Sequence, residues 1–281
     1  MFYIEKNDKP TWIEKIIPII KVENNTIKLP YKENINQNKI EKLAQKTKKV
    51  LEKNSTSQKV VLSKEIQKEN LYINYLNTYG LKIQDGRWLF EILITDIIEY
   101  IINKKKLETS KLKISMLIND ITDFEIENIK LLAKKYKNLN IVTNHIEKIK
   151  KIEEELLEKE GIMITVTNNR KKSLVKSDII YNVDFPEEIL NKYVITDDAI
   201  IINLRGKMKI KKKRFNGIII NNYEINLRDD KKDEKMISKK YYFRDIYQAE
   251  LYQKQGFNNL KEKVKKDNVR VSKLFLSNGE I

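Results

Sequence analysis

The 281 residues carry 56 Lys and Arg against 40 Asp and Glu, a formal charge of +16, and 41% of them are hydrophobic. That is enough apolar material for a core without covalent staples, and the absence of cysteine excludes disulfides, iron–sulfur clusters, thiolate zinc sites and a cysteine nucleophile. No apolar run approaches the roughly 18 residues of a spanning helix, and the opening MFYIEKNDKPTW lacks a basic stretch followed by an apolar one, so a soluble, cytoplasmic protein without a membrane partner is expected.

Residues 1–110 read as a smaller α/β domain. IIKVENNTIKLP predicts two short strands about a turn at Asn24 and Asn25, and a helical pattern follows near Lys39 to Leu51. A strand at VVLS, a helix in ENLYINYLNTY and a short strand at LKI come next. One long helix is then predicted from about Gly86 to Asn103, where GRWLFEILITDIIEYIIN is apolar almost all round and so has to be buried, we expect between the two domains.

From residue 111 to 228, apolar runs of strand length alternate with helical patterns: KISMLIN, DFEIENIKLLAKKYKN, NIVTN, HIEKIKKIEEELLEKEG, IMITVTN, RKKSLVKS, DIIYNVD, PEEILNKY, AIIINL and GIIINNYEI. The strands are β-branched and nearly continuously apolar, as strands buried on both faces of a parallel sheet are. The fold class is therefore α/β, with a doubly wound, mostly parallel Rossmann-like sheet beside the smaller N-terminal domain. Residues 229–281 begin with the charged DDKKDEK, continue with two helical segments broken at Gly256, and end with a strand at VRVSKLFLS; this segment is expected to pack back on the domains.

A dinucleotide pyrophosphate normally rests on the first helix N-terminus of such a sheet, over a GxGxxG turn. Here that turn reads LINDITDFEIEN, without glycine, and none of the seven glycines of the chain stands in a GxG arrangement. Thr122 to Glu125 fits a capping box, and Asp120, Asp123, Glu125 and Glu127 crowd the same helix end, each first-turn carboxylate drawing about 0.3–1 kcal/mol from the dipole that a phosphate would otherwise use. No dinucleotide cofactor is expected at this turn; NADP stays open as the alternative.

The expected carboxyl ends of the strands carry a polar rim: Asn119 and Asp120, Thr143 and Asn144 with the lone histidine His145, Thr167 and Asn168, Asp184, then Asn203 and Arg205. Strand ends of this kind face the ligand crevice of a parallel sheet, so these are the candidate ligand-binding residues, although Asn and Asp serve equally as turn and cap residues. One histidine cannot make a histidine-based metal site, and none is predicted. Only seven of the 56 basic residues are Arg, and the charge is interspersed with acids along helical faces. Nucleic acid is accordingly the less favoured partner, with RGKMKIKKKR (205–214) as its expected footprint.

The order of segments over residues 60–225 resembles the shikimate dehydrogenase group and related two-domain folds such as glutamyl-tRNA reductase. SDIIYNVDFP, Ser177 to Pro186, is similar to that group's fourth strand and keeps Asp178, Asn182 and Pro186. Ile83-Gln84-Asp85-Gly86 stands before the long helix where the group has Asn-Thr-Asp-Gly, whose Asp acts with a Lys on substrate. The resemblance thus implies Asp85 and Lys64, which follows VVLS, as the catalytic pair, although an Asp before Gly also reads as a helix-entrance cap. Two features depart from it. The glycine turn is absent, and the Asn-Arg-Thr clamp on the adenosine phosphate is replaced by Asn144-His145-Ile146.

Three functions follow from this reading. The favoured one is a non-catalytic descendant of a two-domain dehydrogenase, a pseudoenzyme kept as a ligand-sensing or protein-interaction module. The second is an NAD(P)-dependent oxidoreductase or other small-molecule enzyme using Asp85 and Lys64 in the interdomain cleft. The third is an electrostatic nucleic-acid binder.

Overall fold

The computed structural model describes residues 1–8, 11–12, 19–30, 36–54, 59–203, 206, 208–227, 239–251, 255–276 and 279–280. The chain runs β1 (Phe2–Lys6), β2 (Lys21–Glu23), β3 (Thr26–Leu29), α1 (Gln37–Asn54), β4 (Lys59–Leu62), a 3-10 turn at Ile66–Lys68, α2 (Asn70–Thr78), β5 (Lys82–Gln84), α3 (Arg87–Ile92) and α4 (Ile94–Lys105). It continues through β6 (Lys113–Leu117), α5 (Asp123–Lys135), β7 (Asn138–Val142), α6 (Ile146–Glu160), β8 (Thr165–Thr167), β9 (Ile179–Asn182), α7 (Glu187–Leu190), β10 (Ile200–Asn203) and β11 (Ile218–Asn226). The last elements are α8 (Phe243–Glu250), α9 (Phe257–Lys266), β12 (Arg270–Leu276) and β13 (Gly279–Glu280). Among the described residues, no helix is long and apolar enough to cross a membrane.

Two compact units result, Met1–Arg87 with Asp229–Lys254, and Trp88–Arg228 with Gln255–Ile281. The division differs from the expected 1–110, 111–228 and 229–281. The hydrophobic helices α3 and α4 belong almost wholly to the second unit, and the C-terminal segment is shared, α8 in the first unit and α9 with β12 in the second. The single helix expected over 86–103 is also two, parted at Leu93; at this point Lys261 Nζ donates to the Ile92 carbonyl at 2.8 Å.

The first unit holds a five-stranded sheet of order β2-β3-β1-β4-β5, parallel except for the edge strand β2. The β2–β3 turn places Asn24 and Asn25 at φ 46° and 62°, the left-handed pair that a tight hairpin needs and asparagine tolerates. Phe2, Ile4, Ile27, Leu29, Val60 and Leu62 bury one face against α1 and α2. On the other face Val61 packs with Tyr241, Ile246 and Ala249. Continuously apolar strands are explained by this cover on both sides.

The second unit holds an eight-stranded sheet, β13-β12-β11-β10-β9-β6-β7-β8. From β8 to β11 all pairs are parallel, and renumbered from β6 the order is 3-2-1-4-5-6, that of the doubly wound dinucleotide-binding sheets. β12 and β13 extend it antiparallel. Leu117, Val142, Ile180 and Ile201, one from each of four neighbouring strands, form a core with Leu174, Phe185, Leu190 and Tyr193. The protein is thus a Rossmann-like α/β protein. Its topological switch point lies between β6 and β9, where the order reverses.

Candidate functional site

The switch point is where a doubly wound sheet binds ligands, outside the carboxyl ends of its strands. At that place in the second unit, the turn after β6 presents the backbone N–H groups of Asn119 and Asp120. Both donate to one oxygen of the Asp184 carboxylate, at 2.7 and 2.5 Å, and Asp184 is only 8% exposed. These are the groups that a phosphate would engage in a dinucleotide site. The helix that follows is closed by its own residues, since the buried Glu125 carboxylate accepts the Thr122 N–H at 3.1 Å and also the Thr122 hydroxyl. The capping box expected from the sequence is therefore present.

The surroundings are acidic. Tyr181, on β9, is fully buried, and its hydroxyl has no hydrogen-bond partner among the described residues. Burial first, and then the carboxylates of Glu91, Glu125 and Asp184, push this phenol well above its ordinary ionisation range. Asn128, one turn beyond Glu125 and wholly buried, also leaves both side-chain polar atoms without a partner. An incoming phosphate would meet three carboxylates and a neutral phenol, with the two nearest donors already engaged.

Two consequences for Tyr181→Phe follow. Deleting an unpaired buried hydroxyl removes a desolvation cost of about 1–3 kcal/mol while losing no bond, so the variant is expected to be neutral or more stable by about 1 kcal/mol in urea titration. The unfolded tyrosine ionises near pH 10 while the folded one stays protonated. Its contribution is therefore fully present below pH 10 and is lost as pH rises above it, by about 1.4 kcal/mol per unit. Stability measured between pH 9 and 11 should fall less steeply in the phenylalanine variant than in the parent.

The remaining rim residues mostly hold their own turns. Asn119 Oδ1 accepts the Asn144 N–H at 3.0 Å, Thr143 Oγ1 accepts the His145 N–H at 3.0 Å, and Thr167 Oγ1 accepts the Asn169 N–H at 3.1 Å. Asn203, buried, accepts from Asn182 Nδ2 at 2.9 Å and donates to the Gly206 carbonyl. Asn119, Asp120, Asn144 and Asp184 are thus linked at the switch point. Asp120, Asn144, His145 and Asn168 are exposed. Arg205 lies outside the described residues. Of the basic footprint around it, Met208 is buried in the core, while Lys209 and Lys211 are tied by their backbone N–H groups to Glu187 and Asn191.

Lys64 and Asp85 fall in the first unit, after β4 and β5. Asp85 accepts the Arg87 N–H at 3.1 Å and pairs with Arg87 Nε at 3.0 Å, so it does act as the entrance residue of α3. Lys64 Nζ stands 4.9 Å from the centre of the Tyr242 ring, and the guanidinium of Arg244 stands 4.1 Å from the same ring. Arg244 and Asp245 are both buried, paired at 3.2 Å, and Gln67 donates to Asp245 at 2.7 Å. Gln248 of α8 donates to Gln84 of β5 at 3.3 Å. A buried polar cluster, Arg244, Asp245, Gln248, Gln67 and Gln84, thus stands beside the predicted pair, and sequence reasoning missed it. The available signal was FRDIYQ, where two opposite charges sit on the same short segment as Phe243, Ile246 and Tyr247.

No family model matches the chain, and no curated protein matches it. Among solved structures, a shikimate 5-dehydrogenase-like protein matches over 64% of this chain and 62% of its own, at 12% identity and a TM-score of 0.30. An N-acetyl-L-ornithine transcarbamylase complexed with carbamyl phosphate and N-succinyl-L-norvaline matches over 66% of this chain and 54% of its own, at 9% identity and a TM-score of 0.24. The chain therefore spans less than two thirds of either structure it matches.

Proposed function

We propose that this chain is a non-catalytic Rossmann-like module, descended from a two-domain dehydrogenase, that binds a small polar ligand or a protein partner and takes no dinucleotide at its first turn. The observation that supports the reading is the Asp184 carboxylate on the N–H groups of Asn119 and Asp120. A protein carboxylate there makes the bonds that a pyrophosphate would make, and it is held by the fold at no concentration cost. Calorimetric titration with NADPH, NADH and NADP at low salt should give no binding below about 1 mM, which corresponds to about −4 kcal/mol. Micromolar binding by the unaltered protein would sink the proposal. A thermal-shift panel of small polar ligands then seeks the true one, since saturation at a hundred times Kd adds about 2.7 kcal/mol of stability.

A second reading, a small-molecule enzyme with Lys64 and Asp85 as acid–base residues and NADP as its cofactor, is supported by one observation. Lys64 and the buried Arg244 share the Tyr242 ring at the strand ends of the first unit, an arrangement able to hold an anionic substrate. NADP-dependent oxidation of hydroxy acids that disappears in Lys64→Ala would move this reading ahead of the first.

A further inference from the structure

At the opposite edge of the second unit's sheet, where the parallel strands begin, a cavity of about 730 Å3 opens. Lys113, the first residue of β6, lines it together with Lys137, Lys171, Lys172 and Lys176, and no acidic or aromatic side chain does. All five lysines are exposed, and among the described residues none of them makes an ion pair. Beneath them is a polar floor. Ser115 and Ser177, both buried, share a hydroxyl bond at 2.7 Å, and Asn140 Nδ2 donates to Ser115 Oγ at 3.2 Å and to the Ser173 carbonyl at 2.9 Å.

The segment carrying three of the lysines is held in place. Asn169 Oδ1 accepts the N–H groups of Lys171 and Lys172 at 3.0 and 3.2 Å, and Thr196 Oγ1 donates to the Val175 carbonyl at 2.5 Å. Five lysines lining one concavity raise the local potential above that of the same charges spread over a surface. Lysine is a strong phosphate ligand as a point charge, and the volume is that of a small-ligand pocket. Single-stranded nucleic-acid sites interleave aromatic stacking platforms with their cations, and this one has none.

We infer that this cavity binds a small polyphosphorylated ligand. It lies at the other end of the strands from Asp184, so the inference is independent of the function proposed above. Titration of the full chain with ATP, inorganic tripolyphosphate and a mixed-sequence RNA 12-mer at physiological salt tests it. ATP and tripolyphosphate are each expected to bind with Kd below about 100 µM. Lys172→Glu with Lys176→Glu should weaken ATP at least about tenfold, and Lys148→Glu with Lys151→Glu, the same change of net charge on the exposed face of α6, should leave it within about twofold. Equal losses in the two double variants, absence of ATP binding, or binding of the RNA alone would overturn the inference. All four lysines are exposed, so each variant is expected to fold.

Discussion

Asp184→Ala is expected to lower folding stability by about 2 kcal/mol, and Asp184→Asn by no more than about half of that. Two backbone donors lose a charged acceptor, and such bonds contribute about 1.5–3 kcal/mol each where water is excluded. Two effects offset the loss. Asp120 is exposed, so water can replace the carboxylate at its N–H, and the second oxygen of Asp184, buried without a partner, no longer has to be desolvated. Asparagine keeps one carbonyl oxygen for the two donors and removes one of the charges that act on Tyr181. Urea titration of the three proteins gives the ranking, parent above asparagine above alanine. Alanine equal to the parent would mean that the Asp184 bonds contribute nothing to the turn. Asp120→Gly with Asp123→Gly, placed on the asparagine background, gives the turn its best opportunity to accept NADP. A gain of binding there would show that acidic side chains, rather than the shape of the crevice, keep the cofactor out.

The framework was legible where burial on two faces writes itself into composition. KISML, NLNIV, IIYN and IIIN are largely apolar runs of strand length, as strands buried on both faces are, and each became a parallel strand. Local chemistry was equally readable, as the Thr122–Glu125 cap and the Asn24–Asn25 turn illustrate. What could not be read is long-range pairing. The carboxylate that occupies the first turn belongs to a residue 64 and 65 positions further on, and nothing in LINDIT or in NVDFP announces the partner. The division into units differs from the expected one for a similar reason. A helix apolar on every side shows that it is buried but not against what. The burial of Arg244 and Asp245 could not be read from their helical segment either, because a charge becomes a buried one only through the elements folded over it.

Gly86→Ala is expected to cost about 3 kcal/mol, and about half of that cost should vanish when Arg244 is shortened. Gly86 sits at φ +76°, where a side chain costs about 1–2 kcal/mol through its clash with the backbone. An added Cβ would also stand 2.7 Å from Arg244 Cδ and 2.8 Å from Nε. Arg244 is 1% exposed, pairs with Asp245 and lies against the Tyr242 ring, so it cannot swing aside without giving up those contacts. Arg244→Ala alone leaves Asp245 buried with one charged partner fewer, and removal of one member of a buried pair costs about 3–5 kcal/mol. If both effects run through the same contact, the double variant Gly86→Ala with Arg244→Ala will be more stable than the sum of the single losses predicts, by about 1–2 kcal/mol, leaving only the backbone term at position 86. Strict additivity in urea titrations would place the whole cost of alanine in the backbone and would free Gly86 from any part in holding the arginine. A positive coupling would establish that the turn after β5 and helix α8 are fitted to each other through this guanidinium, which is what a preformed anion contact beside Lys64 requires.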